Sequence, residues 1–149
     1  MTDFDVCQCV NYITLNNTKK LSEVFNRWLE DAGITRIQWL ALFFLKTKGS
    51  MSQRDLSKIM EINDSSALRL VDRLERDGLV QRIRSEDDRR VINLGLTDKG
   101  DNLIERLLPV GEEFNAVLIQ GISSEEIEIF LSVQAKMYQN VMNDQRSQK

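Results

Sequence analysis

NDSSALRLVDRLERDGLV, residues 63–80, is the stretch on which the fold turns. Wound at about 100° per residue, it puts Ala67, Leu70, Val71 and Leu74 on one side. Ser65, Ser66, Arg69, Arg73 and Arg76 fall on the other. Such a helix buries its apolar stripe against a neighbour and leaves the opposite face to solvent or to a partner. Asn63 or Asp64 has the side chain to cap the first turn, and Gly78 stands where a left-handed residue closes the last. Upstream, Ser52 caps a shorter predicted helix over 53–60, with Leu56, Ile59 and Met60 facing inward. Glu61-Ile62-Asn63 turns the chain between them, and two helices joined by about three residues have the outline of a helix-turn-helix.

Working outward, residues 79–84 and 91–96 read as the two strands of a β-hairpin. In the second, Ile92, Leu94 and Leu96 alternate with Val91, Asn93 and Gly95. The connecting loop carries Glu86-Asp87-Asp88-Arg89-Arg90, more charge than a tight turn needs. On the N-terminal side, the three- and four-residue steps of Val6, Val10, Ile13, Leu21, Val24, Phe25, Trp28 and Leu29 predict a long amphipathic helix ending near Gly33. Thr35 and Gln38 form a capping box for a helix that is apolar on most sides and should be buried. On the C-terminal side, Thr97 caps a long helix that Pro109 and Gly111 should kink or divide. Ser123 and Glu126 form a second capping box, for a last helix to about residue 142.

The chain has 149 residues, 42% hydrophobic and 29% charged, which fits one globular domain. No apolar run approaches the roughly 18 residues that cross a bilayer. The first ten residues, with two aspartates and no basic group, make a poor signal peptide, so a cytoplasmic protein with no membrane partner is expected. There is no histidine, which removes imidazole bases, His-dependent triads and His-containing metal sites. Two cysteines are too few for a disulfide framework or a thiolate zinc site, and the common nucleotide-binding and nucleophile motifs are missing. The expectation is a protein that is not an enzyme and uses no metal and no cofactor.

The net charge of −3 argues weakly against nucleic acid, but its distribution matters more. Residues 51–93 carry nine basic and nine acidic groups, with seven arginines between 69 and 90, whereas residues 94–149 carry five basic and nine acidic groups. Small hydroxyls at Ser65 and Ser66 would let a helix N-terminus approach a DNA groove, and Arg69 and Arg73, one turn apart, could reach base edges. Arg89 and Arg90 at a hairpin tip could lie in the neighbouring minor groove, whose concentrated negative potential attracts guanidinium groups. Asp88, two residues before Arg90, could hold that side chain extended. The alternatives are an ordinary solvated helix face and a charged turn that serves only solubility.

In order and spacing across about 34–100, the chain resembles the multiple-antibiotic-resistance regulator (MarR) family. The residues that carry the likeness are Ser52-Gln53, Leu56-Ser57, the run 63–80, Asp88-Arg89-Arg90 and Leu96-Thr97-Asp98-Lys99-Gly100. The resemblance implies a mainly α (α+β) fold: a winged helix-turn-helix with a two-stranded β-hairpin wing and long N- and C-terminal dimerisation helices. Residues 35–97 would be the DNA-binding part of a single 1–149 domain, with 1–33 and 98–145 as its helical dimerisation part. Ser65, Ser66, Arg69 and Arg73 match the recognition positions, Gln53 a phosphate-contacting position, and Arg90 the wing tip with Asp88 beside it. Partners would be double-stranded DNA at a pseudo-palindromic operator, a second copy of the chain, and a small aromatic or anionic effector that releases a repressor. A winged-helix module that binds protein and not DNA is the competing reading.

Independently of the likeness, Val10, Ile13, Ile127, Phe130, Leu131, Val133 and Tyr138 would leave a large apolar patch on a monomer, unless they pack within one chain. Tyr12, Trp28, Trp39 and Phe43 could line an effector pocket, although aromatics at helical spacing more often form core. Cys7 and Cys9 lie where peroxide-sensing members of the family carry a reactive cysteine. Asp3 and Asp5 nearby, with no basic residue before Lys19, oppose thiolate formation and favour two inert thiols over a redox-sensing regulator.

Overall fold

Helix caps, more than propensity, set the boundaries of most elements. The computed structural model describes residues 5–85 and 91–148 and divides into two compact units, Met1–Glu112 and Glu113–Lys149. In the first unit Asp5 accepts from the Cys7 amide at 2.9 Å, and Val6–Gln8 forms a separate 3-10 turn. The first helix, α1 (Val10–Trp28), therefore starts four residues later than the periodicity alone predicts, because a side-chain acceptor diverts the backbone. Phe25 is its one buried residue, followed by buried Leu29 at the C-cap.

Helix α2 (Arg36–Lys48) opens with the expected box: the Thr35 amide donates to Gln38 Oε1 at 2.9 Å and the Gln38 amide to Thr35 Oγ1 at 3.4 Å. That exchange lets a polar side chain, Gln38, sit buried beside Trp39, Ala41, Leu42 and Leu45. A short strand, β1 (Met51–Ser52), then leads into α3 (Gln53–Ile59), capped by Ser52, whose hydroxyl oxygen accepts from the Asp55 amide at 3.1 Å. Leu56 is buried and Met60 half-buried, but Ile59 is exposed. Leu56, Ser57 and Met60 set the buried face, and Ile59 lies about 100° from its middle, at the edge. Ser57 takes the inward place: its hydroxyl lies 2.9 Å from the Arg54 carbonyl oxygen and 3.1 Å from Asp64 Oδ1, able to donate to either.

The turn between α3 and α4 (Asp64–Arg76) places Glu61 at φ 52°, and Asn63 Oδ1 accepts from the Ser66 amide at 2.8 Å. Ala67, Leu70, Val71 and Leu74 are buried as the sequence predicts. At the far end Gly78, at φ 71°, lets its own amide reach the Glu75 carbonyl and that of Leu79 reach the Leu74 carbonyl, each at 2.9 Å. These paired bonds close the helix in a Schellman motif.

Strands β2 (Val80–Arg84) and β3 (Ile92–Leu96) form the hairpin, with Val80 opposite Leu96 and Arg84 opposite Ile92. The expected two-stranded wing is a three-stranded antiparallel sheet in the order β1-β3-β2, because Met51 and Ser52 pair with Leu94 and Asn93. A two-residue strand has too short a period to read in sequence. Of the three alternating residues in β3, Leu94 is buried and Leu96 half-buried, while Ile92, next to the loop, is exposed.

Thr97 joins three elements. Its hydroxyl donates to the Gly78 carbonyl at 2.6 Å and accepts from the Gly100 amide at 3.0 Å, capping α5 (Asp98–Leu118). Lys99 Nζ donates to the Asp77 carbonyl at 2.8 Å. A Cβ on Gly100 would stand 2.0 Å from the Leu79 carbonyl oxygen, so only glycine permits this approach. Lys46 of α2 holds Asp101 and Glu105 of α5, each at 2.7 Å, and the Asp101 hydrogen bond, ahead of that to Glu105, raises its pKa.

Pro109 and Gly111 do not divide α5, which continues through both. Pro109 removes one backbone donor, but Ile104 and Leu107 are buried and the Trp39 indole donates to the Leu107 carbonyl at 3.1 Å. Gly111 makes room: a Cβ there would meet the Trp39 ring at 2.5 Å. The second unit contains the end of α5 and α6 (Ser124–Asn143), which opens with the predicted Ser123–Glu126 box and has no buried residue. No described helix is long and apolar enough to cross a membrane.

Candidate nucleic-acid interface

The four buried residues of α4 fix its rotation, so Ser65, Ser66, Arg69 and Arg73 all face outward and are exposed. The Asn63 cap organises the first turn: Ser65 Oγ donates to Asn63 Oδ1 at 2.8 Å, beside the Ser66 amide on the same oxygen. Ser66, Arg69 and Arg73 line one surface depression of about 200 Å³ with Ile37, Gln38 and Leu70. Three of the four expected recognition side chains thus converge on a single patch. Gln53, the first residue of α3, is half-buried.

Charge on α4 is sorted by a residue that sequence reasoning missed. Asp72 and Glu75 do not pair with arginines of their own helix; Arg82 of β2 takes both, with Nη2 at 2.7 Å from Asp72 Oδ1 and Nη1 on Glu75 Oε2. The hydrogen bond to Asp72 is the main cause that holds the Arg82 pKa above its ordinary value. Arg76 Nε lies 3.7 Å from Asp77. Arg69 and Arg73 are left with no carboxylate partner among the described residues. Two guanidinium groups one turn apart, free of the acids that Arg82 engages, are suited to phosphate oxygens or to the acceptor edge of guanine.

The MarR family model matches residues 32–91. Over 118 residues the chain is 32% identical to the HTH-type transcriptional repressor MdtR of Bacillus subtilis, covering 79% of this chain and 76% of that protein. The chain belongs to the MarR family. MarR-family proteins are transcription regulators, so this chain is a DNA-binding transcriptional regulator and not an enzyme. Among solved structures, MepR of Staphylococcus aureus bound to DNA is 26% identical at a TM-score of 0.80, covering 89% of this chain and 98% of MepR. BpsR of Bordetella bronchiseptica, whose DNA binding is regulated by 6-hydroxynicotinic acid, has a TM-score of 0.81 at 21% identity, covering 92% of this chain and 98% of BpsR. The winged helix-turn-helix expected from sequence is the fold of this MarR-family chain.

At the wing of this MarR-family fold, the Ser85 amide donates to the Val91 carbonyl at 2.9 Å, which closes the hairpin stem. Asp88, Arg89 and Arg90, expected at the tip, lie outside the described residues. Of the expected effector-pocket aromatics, Trp39 and Phe43 stack at 5.3 Å and 14°, with Phe25 edge-on to Trp39 at 5.4 Å. Tyr12 and Trp28 are exposed on α1. Sixteen residues separate them, about 24 Å along a helix rising about 1.5 Å per residue, so they flank no common cavity in one chain. Trp39 is core: it is buried and its indole N–H is satisfied. Both thiols are free, Cys7 exposed and Cys9 half-buried, and the described residues hold no cluster able to bind a metal ion.

Proposed function

We propose that this MarR-family regulator is a cytoplasmic homodimeric repressor that binds a pseudo-palindromic operator and is released by a small aromatic or anionic ligand. Residues 35–97 act as its DNA-binding part and 1–33 with 98–145 as its dimerisation part. Ser65, Ser66, Arg69 and Arg73 enter the major groove, Gln53 meets phosphate, and Arg90, with Asp88 and Arg89, enters the adjacent minor groove. One observation carries the reading: Arg69 and Arg73 stand exposed on α4, one turn apart, while Arg82 pairs with the helix's Asp72 and Glu75. The repressor described in B. subtilis and the ligand-regulated BpsR support the mode of action.

Fluorescence anisotropy with DNA flanking the gene tests the reading. Arg69→Ala and Arg73→Ala should each weaken binding by about 1–3 kcal/mol and relax base preference, while Arg90→Ala weakens binding by a similar amount. Affinity should fall steeply with added salt as counterions return to the duplex. Unchanged low-salt affinity in all three variants excludes this mode of DNA binding.

A further inference from the structure

Helix α4 presents one large apolar side chain to solvent. Leu68 is 46% exposed, whereas Ala67, Leu70, Val71 and Leu74 are buried and every other exposed residue of the helix is polar or charged. A lone exposed leucine on an ordinary surface carries no meaning. This one falls inside the segment that holds Ser65, Ser66, Arg69 and Arg73. At about 100° per residue it stands about 110° from the middle of the buried stripe, so the core does not claim it. It shares a stripe with Asp72 and Glu75, four and seven residues further on. Arg82 of β2 holds both acids, which marks that stripe as the side of α4 turned toward the hairpin. Leu68 lies one turn nearer the helix N-terminus than Asp72, beside the serines of the first turn.

Chemistry narrows what a leucine in that place can recognise. It has no donor or acceptor, so it adds nothing at a phosphate or at the acceptor edge of guanine, which suit Arg69 and Arg73. The one apolar group on a base edge in the major groove is the C5 methyl of thymine. Covering that methyl removes apolar surface of both partners from water. Cytosine offers an amino donor instead, and a leucine laid against it displaces water without replacing the hydrogen bond. A protein partner fits less well, because the exposed neighbours Asp64, Ser65, Arg69 and Asp72 break up any continuous apolar patch on α4. We propose that Leu68 is a specificity-determining residue of this regulator, packing on the C5 methyl of a thymine in the operator. The proposal deepens the DNA-binding reading under Proposed function and rests on it.

The test uses the full chain and the DNA flanking the gene, trimmed by footprinting to the bound site, with each thymine replaced in turn by deoxyuridine. Deoxyuridine lacks only the methyl and keeps its base pairing. By anisotropy at fixed salt, the unmodified protein should lose about fourfold in affinity at one thymine position of a half-site, the equivalent of one buried methyl. Leu68→Ala should bind the thymine and deoxyuridine duplexes equally at that position, with the melting temperature of the unmodified protein. Leu68→Met, which keeps an apolar end, should retain most of the preference. The proposal is overturned if no thymine methyl matters to the unmodified protein. It is equally overturned if the methyl effect persists in Leu68→Ala, which would trace it to duplex shape. A protein that binds the duplex without a Leu68-dependent methyl effect refutes this contact alone, whereas one that binds no flanking duplex refutes the DNA-binding mode along with it.

Discussion

Arg82 shows how one side chain outside α4 can change that helix's charge. With 29% of its side chain exposed, it is too wet for the ion pairs to add much stability, and surface pairs contribute about 0–1 kcal/mol. Its consequence is electrostatic: without it, Asp72 stands three residues from Arg69 and competes for its guanidinium group, and both unpaired acids repel phosphate. Arg82→Ala should therefore lower operator affinity about tenfold, equivalent to about 1.4 kcal/mol, with little change in melting temperature. Asp72→Asn in the Arg82→Ala background should restore part of the loss, a coupling that a double-mutant cycle by anisotropy reads directly. Equal affinities with and without Arg82 would remove this role. The pairing was not legible in sequence, because spacings of seven and ten residues match neither helix nor hairpin neighbours. The signal that could have found it is an arginine two residues from buried Val80, on the inward face of a strand.

Elements were legible where a local side chain fixes their ends. Thr35, Ser52, Asn63 and Ser123 each announce a helix start, and each accepts the expected backbone amide. What sequence could not supply were close approaches between elements: β1 onto β3, Trp39 against Gly111, and Leu79 against Gly100. Those depend on distances between residues far apart in the chain. Gly100→Ala should cost about 1–3 kcal/mol, because its Cβ meets a backbone carbonyl that cannot turn aside, and thermal unfolding measures it. At the start of α6, hydrogen bonding from Ser123, first through its backbone amide, lowers the Glu126 pKa below 4.5. A depressed carboxylate pKa means the stabilisation is complete above the unfolded value and disappears as pH falls through the folded one. Helicity by circular dichroism should thus drop on acidification below about pH 4.5, and Glu126→Gln should flatten that limb. An unaltered acid limb in Glu126→Gln would assign it to other carboxylates.

At the scale of the whole molecule, the two units differ in what they bury. Every buried hydrophobic residue among those described, from Phe25 to Leu107, belongs to the first unit, whereas α6 extends 20 residues with none. Its Phe130, Leu131, Val133 and Tyr138 are exposed, Tyr138 by 68%, and in the first unit Val10 and Ile13 of α1 are exposed as well. An isolated helix draws little stability from propensity alone and depends on packing an apolar face. A second copy of the chain is the proposed cover, and it makes folding depend on concentration, since association stabilises only the folded state. The melting temperature should rise with protein concentration, and sedimentation should give twice the 17.3 kDa chain mass. Phe130→Asp places a charge where an apolar contact is expected. It should shift sedimentation to the monomer, lower helicity, and weaken binding to a two-half-site operator far more than to a single half-site. A Phe130→Asp chain that still sediments as a dimer, with the melting temperature and operator affinity of the unmodified protein, would show that α6 does not use this face for self-association.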